Sequence, residues 1–211
     1  MKKLIVFSVD KVLIDNEMGA FKDVLVLLGK GKEVQKIDEE YQKRKHFGPW
    51  GLEELAKLYK GFSKEKLRKV AFEYCLKNLM QGTKETIAKL RKKNYGVRAL
   101  SSNPQFIMET LADILSLDFS HGTKLEFKDN IATGRISKQV NRYTKAEILK
   151  ERMGQLNLQR KDVIIVGNSL TDLPMAEIAG FLVAFDAEEE VKRKADVVIK
   201  KKDLREILKH I

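Results

Sequence analysis

Leu4-Ile5-Val6-Phe7-Ser8-Val9-Asp10-Lys11-Val12-Leu13 decides how this chain is read. Leu4 to Val9 is an apolar run rich in β-branched side chains and bounded by charge, which predicts a fully buried strand. A serine and an aspartate stand where that strand ends. Polar residues stand at the end of an apolar strand twice more downstream. Tyr95 to Leu100 is a short apolar strand running into Ser101-Ser102-Asn103-Pro104, and Asp162 to Val166 is a β-branched strand running into Gly167-Asn168-Ser169-Leu170-Thr171-Asp172. Between them, Arg142-Tyr143-Thr144-Lys145-Ala146-Glu147-Ile148-Leu149 opens a helix that carries Lys145 in its first turns.

The rest of the chain divides around these strands. From about Glu17 to Leu79 only helical periodicity is present, carried by Phe21, Val24, Leu25 and Leu28, by Ile37 and Tyr41, by Leu52, Leu55, Ala56 and Tyr59, and by Leu67, Val70, Ala71 and Tyr74. Breaks at Gly29 to Gly31, Gly48-Pro49-Trp50-Gly51 and Gly61-Phe62-Ser63 separate the helices, with Ser63 placed to cap the last. From Gly82 onward helices and strands alternate, the pattern of a parallel sheet covered on both faces. In such a sheet all the polar groups named above fall along one carboxyl edge, where open α/β folds bind ligands. The helical insert leaves from that edge, with expected hinges near Asn16 and Gln81-Gly82, and so is placed to close over a pocket as a lid.

Taken in order, these groups resemble the four motifs of the haloacid dehalogenase (HAD) superfamily. Ser8-Val9-Asp10-Lys11-Val12 is similar to motif I, Asp-x-Asp-x-(Thr/Val), in every defining position but the first. Ser101 resembles the motif II hydroxyl and Lys145 the motif III lysine. Gly167 to Asp172 resembles motif IV, Gly-Asp-x-x-x-Asp, with asparagine for the first aspartate. The likeness is to the phosphoserine phosphatase-like branch and runs from Leu79 to Ile211, including the flap-like Phe127-Lys128-Asp129-Asn130 with Thr133-Gly134 and the tail Lys202 to Leu208. It implies an α/β fold with a Rossmann-like parallel sheet and helices on both faces, an HAD-like core at 1–15 and 81–211, and an inserted all-helical cap at 16–80.

The resemblance also implies roles. Ser8 occupies the nucleophile position, Asp10 that of the general acid and base, and Ser101, Ser102 and Lys145 those that bind phosphate. Magnesium is implied as cofactor, at Ser8, the Asp10 backbone carbonyl and Asn168, with Asp172 acting from the outer shell through water and towards Lys145. Both positions that should supply direct carboxylates, Ser8 and Asn168, are neutral, whereas magnesium depends on negatively charged oxygen. Metal affinity is therefore expected to fall. Serine needs a base to attack phosphorus, and its phosphoester is stable where an acyl phosphate is labile. Losing two carboxylates and one divalent cation leaves the net charge of the pocket unchanged. The expectation is a site that holds a small phosphomonoester on Lys145, Ser101 and loop amides, with hydrolysis impaired or absent. Two alternatives stay open: an active magnesium-dependent phosphomonoesterase, through a metal geometry involving Asp15 and Asp172 or as an altered form of an aspartate-bearing parent, and a regulatory or interaction protein using the cap surface.

Substrate identity is less determined. Glu17 stands where phosphoserine phosphatases carry an acid that contacts the substrate ammonium; a first-turn glutamate favoured by the helix dipole explains it equally. No arginine lies in Phe47 to Lys60, where the family carries one for the substrate carboxylate, and Arg44 or Arg68 requires another approach. The family's glycine pair after motif II is replaced by Ser102-Asn103-Pro104, read here as a cap followed by proline at the first helical position.

Composition adds bounds. With 211 residues, 43% of them hydrophobic, the chain suits one domain carrying an insertion. Its formal charge of +11 attracts anionic small molecules. A nucleic-acid partner is not expected, because Lys43-Arg44-Lys45, Arg91-Lys92-Lys93, Lys192-Arg193-Lys194 and Lys200-Lys201-Lys202 are scattered. The N-terminal apolar run is too short for a signal peptide or membrane span, so the expectation is a cytoplasmic protein with no membrane partner. Cys75, the single cysteine, is expected in the core. Asp15 is expected to cap the first insert helix, Trp50 to pack between cap helices, and His46, His121 and His210 to serve surface or capping roles.

Overall fold

The computed structural model describes residues 3–44, 47 and 50–211. The apolar run at the N-terminus forms strand β1 (Lys3–Phe7), whose last four residues are buried. Among the described residues, the first four helices follow: α1 (Ala20–Leu27), α2 (Gly31–Arg44), α3 (Leu52–Leu58) and α4 (Lys64–Lys77). Ser63 caps α4, its side chain accepting from the Lys66 amide at 3.2 Å. The Gly48-Pro49 break, Lys45 and His46 lie outside the described residues.

After α5 (Thr83–Lys92) the chain alternates β2 (Tyr95–Pro104), α6 (Gln105–Leu115), β3 (Phe119–Lys128), β4 (Ile131–Lys138), α7 (Arg142–Gln155), β5 (Val163–Gly167), α8 (Leu173–Ile178), β6 (Phe181–Phe185), α9 (Glu189–Lys194) and β7 (Val197–Ile199). The seven strands form one sheet in the order β4-β3-β2-β1-β5-β6-β7. All pairs are parallel except β3 with β4. β1 is central, flanked by β2 and β5, and is buried on both faces as a parallel strand must be. One apolar cluster, including Ile5, Phe7, Val97 and Ala99, packs towards the insert helices and α6; the other, including Leu4, Val6, Leu100 and Leu149, packs towards α7 and α8. The expected α/β sheet with helices on both faces is therefore observed.

Two details depart from expectation. β4 runs antiparallel because Asp129 and Asn130, at φ 50° and 64°, turn the chain back in a tight hairpin; two successive left-handed residues are what a two-residue hairpin loop requires. β2 continues through Ser101, Ser102 and Asn103 to Pro104 instead of ending before Ser101. A register shift between Leu100 and Pro104 lets Pro104 pair with Thr123. Proline then precedes α6 as its N-cap, with no side-chain cap, so Asn103 and Ser102 do not cap that helix.

The two crossings between insert and core are tied together. Asp15 donates its amide to the Asn78 carbonyl at 2.8 Å, and Met80 donates to Leu13 at 2.9 Å. The β3–β4 hairpin meets the insert through Gly61 to Ala132, Ala132 to Phe62 and Lys64 to Asn130, all at 2.8–2.9 Å. No helix among the described residues is long and apolar enough to cross a membrane.

Candidate active site

Ser8 follows β1 directly, and its amide donates to the Val166 carbonyl on β5 at 2.9 Å. Ser101 lies on the neighbouring strand β2, and Asn168 follows β5. Three adjacent parallel strands thus deliver these side chains to one edge of the sheet. Ser8 and Ser101 are 5% and 3% exposed; Ser102 and Asn168 are half-buried.

Lys145 enters from α7. Asn141 starts that helix with a capping box shared with Thr144, which fixes the first turns. The Lys145 ammonium donates to Asp172 Oδ1 at 2.9 Å and to Thr171 Oγ1 at 3.1 Å. Asp172 Oδ2 accepts from the amides of Asn168 at 3.1 Å and Ser169 at 3.3 Å. Gly167 is required here, since a Cβ on it would stand 2.8 Å from the Asp172 Cβ. Asp172 contacts Lys145 directly, in the direction the resemblance implied. An ammonium has three donors, so one remains for a phosphate oxygen.

Asp10 is held from three sides. Its Oδ1 accepts from Ala20 N at 2.7 Å and Asn16 Nδ2 at 2.9 Å, and its Oδ2 accepts from Asn103 Nδ2 at 3.0 Å. Asn103 also accepts the Phe21 amide at 2.8 Å. It is 1% exposed and joins β2, Asp10 and α1. Sequence reasoning took Asn103 for a helix cap. The Asn-Pro pair carried that signal, and the contact with Phe21, 82 positions away, left none. Asn16 Nδ2 further donates to Tyr74 Oη at 3.0 Å, and Tyr74 donates to Asp23 at 2.6 Å. Burial holds the Asp23 carboxyl above its ordinary range and raises the Tyr74 phenol further. Burial also pushes Cys75 up to about 12, as suits an inert core thiol.

Other candidates lie elsewhere. Glu17 precedes α1, which begins at Ala20, so it is not a first-turn residue. Its side chain is 77% exposed and pairs with Lys11 at 3.2 Å and Lys202 at 3.9 Å. Those lysines satisfy it at the surface. Asp15 does not cap α1, whose N-cap is Gly19, and it pairs with Lys202 at 3.3 Å. Trp50 lies under the Arg44 guanidinium at 5.3 Å. Arg68 pairs with Glu109 on α6 at 3.1 Å.

The donor set does not fit the magnesium that the fold implies. Among the described residues no three His, Cys, Asp or Glu side chains gather as a metal site. Ser8 and Asn168 are neutral, and both oxygens of Asp172 are occupied by Lys145 and backbone amides. A hard dication lacks the direct carboxylates it needs.

The sheet order and the polar edge define a Rossmann-like α/β scaffold with a helical insert after its first strand. The family model of the haloacid dehalogenase-like hydrolases matches residues 5–177, and the chain belongs to that family. Phosphoserine phosphatase of Methanocaldococcus jannaschii is 32% identical over all of this chain and 98% of its own length. A phosphoserine phosphatase of Archaeoglobus fulgidus is 31% identical over 96% of this chain and 58% of its own length. Among solved structures, a phospho-aspartyl intermediate analogue of phosphoserine phosphatase superposes with a TM-score of 0.84 at 31% identity, covering 100% of this chain and 99% of that one. A substrate-bound phosphoserine phosphatase complex gives 0.82 at 30% identity over the same shares.

Proposed function

We propose that this chain binds a small phosphomonoester in the cleft between insert and core without magnesium, and hydrolyses it poorly or not at all. The observation that carries this reading is the buried Lys145–Asp172 pair, with neutral Ser8 and Asn168 at the ligand positions beside it. Asp172 offsets the lysine charge, and the third ammonium donor, the Ser101 hydroxyl and strand-end amides remain to receive phosphate oxygens. Asp10, held by three donors, stands ready for a leaving-group oxygen, but no carboxylate stands at the position that attacks phosphorus. Residues 1–15 and 81–211 form the core in this reading, and 16–80 the cap.

The family relationship to phosphoserine phosphatases supports a phosphate ester of a small metabolite as ligand. It equally supports a second reading, an active magnesium-dependent phosphomonoesterase that uses Asp10. Phosphate release from a panel of small esters, by this chain, by Ser8→Asp and by Ser8→Asp with Asn168→Asp, decides between them. The proposed reading expects no magnesium-dependent turnover until both carboxylates are present. Magnesium-dependent turnover by the unaltered chain comparable with that of the doubly substituted chain contradicts it.

A further inference from the structure

Helix α1 opens the insert without a cap of its own. Its N-cap is Gly19, at φ 95°, with no side chain to accept a hydrogen bond. Amides at the start of a helix find no acceptor within it and must be satisfied from elsewhere. Those of Lys22 and Asp23 bond the Gly19 carbonyl, both at 3.0 Å. The two before them leave the insert altogether: Ala20 donates to Asp10 Oδ1 at 2.7 Å, and Phe21 to Asn103 Oδ1 at 2.8 Å. Both acceptors are residues of the candidate site. A Cβ on Gly19 would stand 3.4 Å from Asp10 Oδ2, so the first turn of α1 lies directly against that carboxylate.

The Asn103 carboxamide has one chemically consistent orientation. The Phe21 amide can only donate and the ionised Asp10 carboxylate only accept, so the oxygen faces Phe21 and the nitrogen faces Asp10. The backbone amide of Asn103 donates to Ser101 Oγ at 3.2 Å, which fixes the residue from its other side. A carboxylate offers about four lone-pair positions. Among the described residues, Oδ1 of Asp10 receives two donors, the Ala20 amide and Asn16 Nδ2, and Oδ2 receives one, Asn103 Nδ2 at 3.0 Å. The open position is therefore on Oδ2, beside the Asn103 carboxamide. A proton carried by Asp10 belongs there, because Oδ1 already faces two N–H groups.

We propose that Asn103 is a positioning residue that couples Asp10 to the insert, so that Oδ2 is aimed at the leaving-group oxygen of an ester only while the insert is closed. This rests on the reading that the site takes a phosphomonoester. Lifting α1 off the core takes the Phe21 amide from Asn103 and the Ala20 amide from Asp10 in one movement. The carboxamide is then held at one end only, and Asp10 loses a donor on Oδ1. Closing the insert restores both. The hydrogen bonds that dock the insert are the ones that orient the proton-transfer group.

Amide hydrogen exchange at Ala20 and Phe21, followed by NMR, tests the coupling without any ligand. In the unaltered chain one opening frees both amides, so their protection should agree within about twofold. In Asn103→Ala both should exchange faster, by about tenfold or more, although Ala20 keeps its acceptor on Asp10. Protection that differs by more than about tenfold in the unaltered chain, or acceleration confined to Phe21, overturns the proposal and leaves Asn103 a helix cap. In Ser8→Asp with Asn168→Asp, adding Asn103→Ala should slow hydrolysis of an alkyl phosphate about tenfold more than that of p-nitrophenyl phosphate, whose leaving group departs without a proton. Equal slowing of the two esters overturns the proposal as well. Hydrolysis of neither ester by the doubly substituted chain counts against the phosphomonoester reading, and the exchange result then decides the coupling alone.

Discussion

Lys145 Nζ and Asp172 Oδ1 are 2.9 Å apart, with side chains 3% and 0% exposed. A charge pair so buried is weak evidence of net stabilisation, but breaking one side of it leaves an uncompensated charge. Lys145→Met is therefore expected to cost about 3–5 kcal/mol, measured by urea denaturation. A loss below about 1 kcal/mol would show that Asp172 reaches solvent or another partner when the lysine is gone.

Asn103 joins the core to the insert, and its replacement by glycine should loosen that joint. Asn103→Gly removes the acceptor of the Phe21 amide and one donor to Asp10. Hydrogen exchange at Phe21 should accelerate by about tenfold or more, as for loss of about 1–2 kcal/mol of local protection. Exchange unchanged at Phe21 would mean that the insert is held by its other contacts.

Tyr74 bridges Asn16 and Asp23 through one hydroxyl. Tyr74→Phe keeps the ring but strands a buried amide donor and a carboxylate, so a loss of about 1–3 kcal/mol is expected in chemical denaturation. The Asp10 carboxylate remains held by Ala20 and Asn103. A neutral result would show that Asn16 and Asp23 find other partners.

Gly122 lies where a Cβ would meet the Asn103 carbonyl at 2.3 Å and Met108 Cγ at 2.5 Å. The carbonyl cannot move without shifting the strand that carries Asn103. Gly122→Ala should destabilise by about 1–3 kcal/mol and lower the melting temperature. An unchanged melt would show that β3 can shift away from β2 there.

Acid should weaken the tail through Asp203. The Arg205 guanidinium, hydrogen-bonded to it, holds this carboxyl down to about 2. An unfolded aspartate titrates near about 4, so the folded chain binds the proton less readily. This stabilisation is present above about pH 4 and disappears as pH falls towards about 2. Thermal melts across that window should fall more steeply for the unaltered chain than for Asp203→Asn, and parallel curves would contradict the assignment.

What the sequence disclosed and what it hid divide along the range of the interactions. β1, the turn of helix carrying Lys145 and the Ser63 cap are local, set by periodicity and capping, and were legible. Asn103 was not, because Asn-Pro carries a local capping signal while its partners Asp10 and Phe21 are brought near by the fold. Asp15 and Glu17 were drawn away by Lys202, far along the chain. Arg98 interrupts an apolar strand without altering its pattern enough to signal a buried cation.

Isothermal titration of a panel of phosphomonoesters including phosphoserine with the unaltered chain tests the central claim most directly. The expected result is saturable binding to at least one ester whose dissociation constant changes by less than about twofold between excess chelator and added magnesium. Binding that appears only when magnesium is present would contradict it.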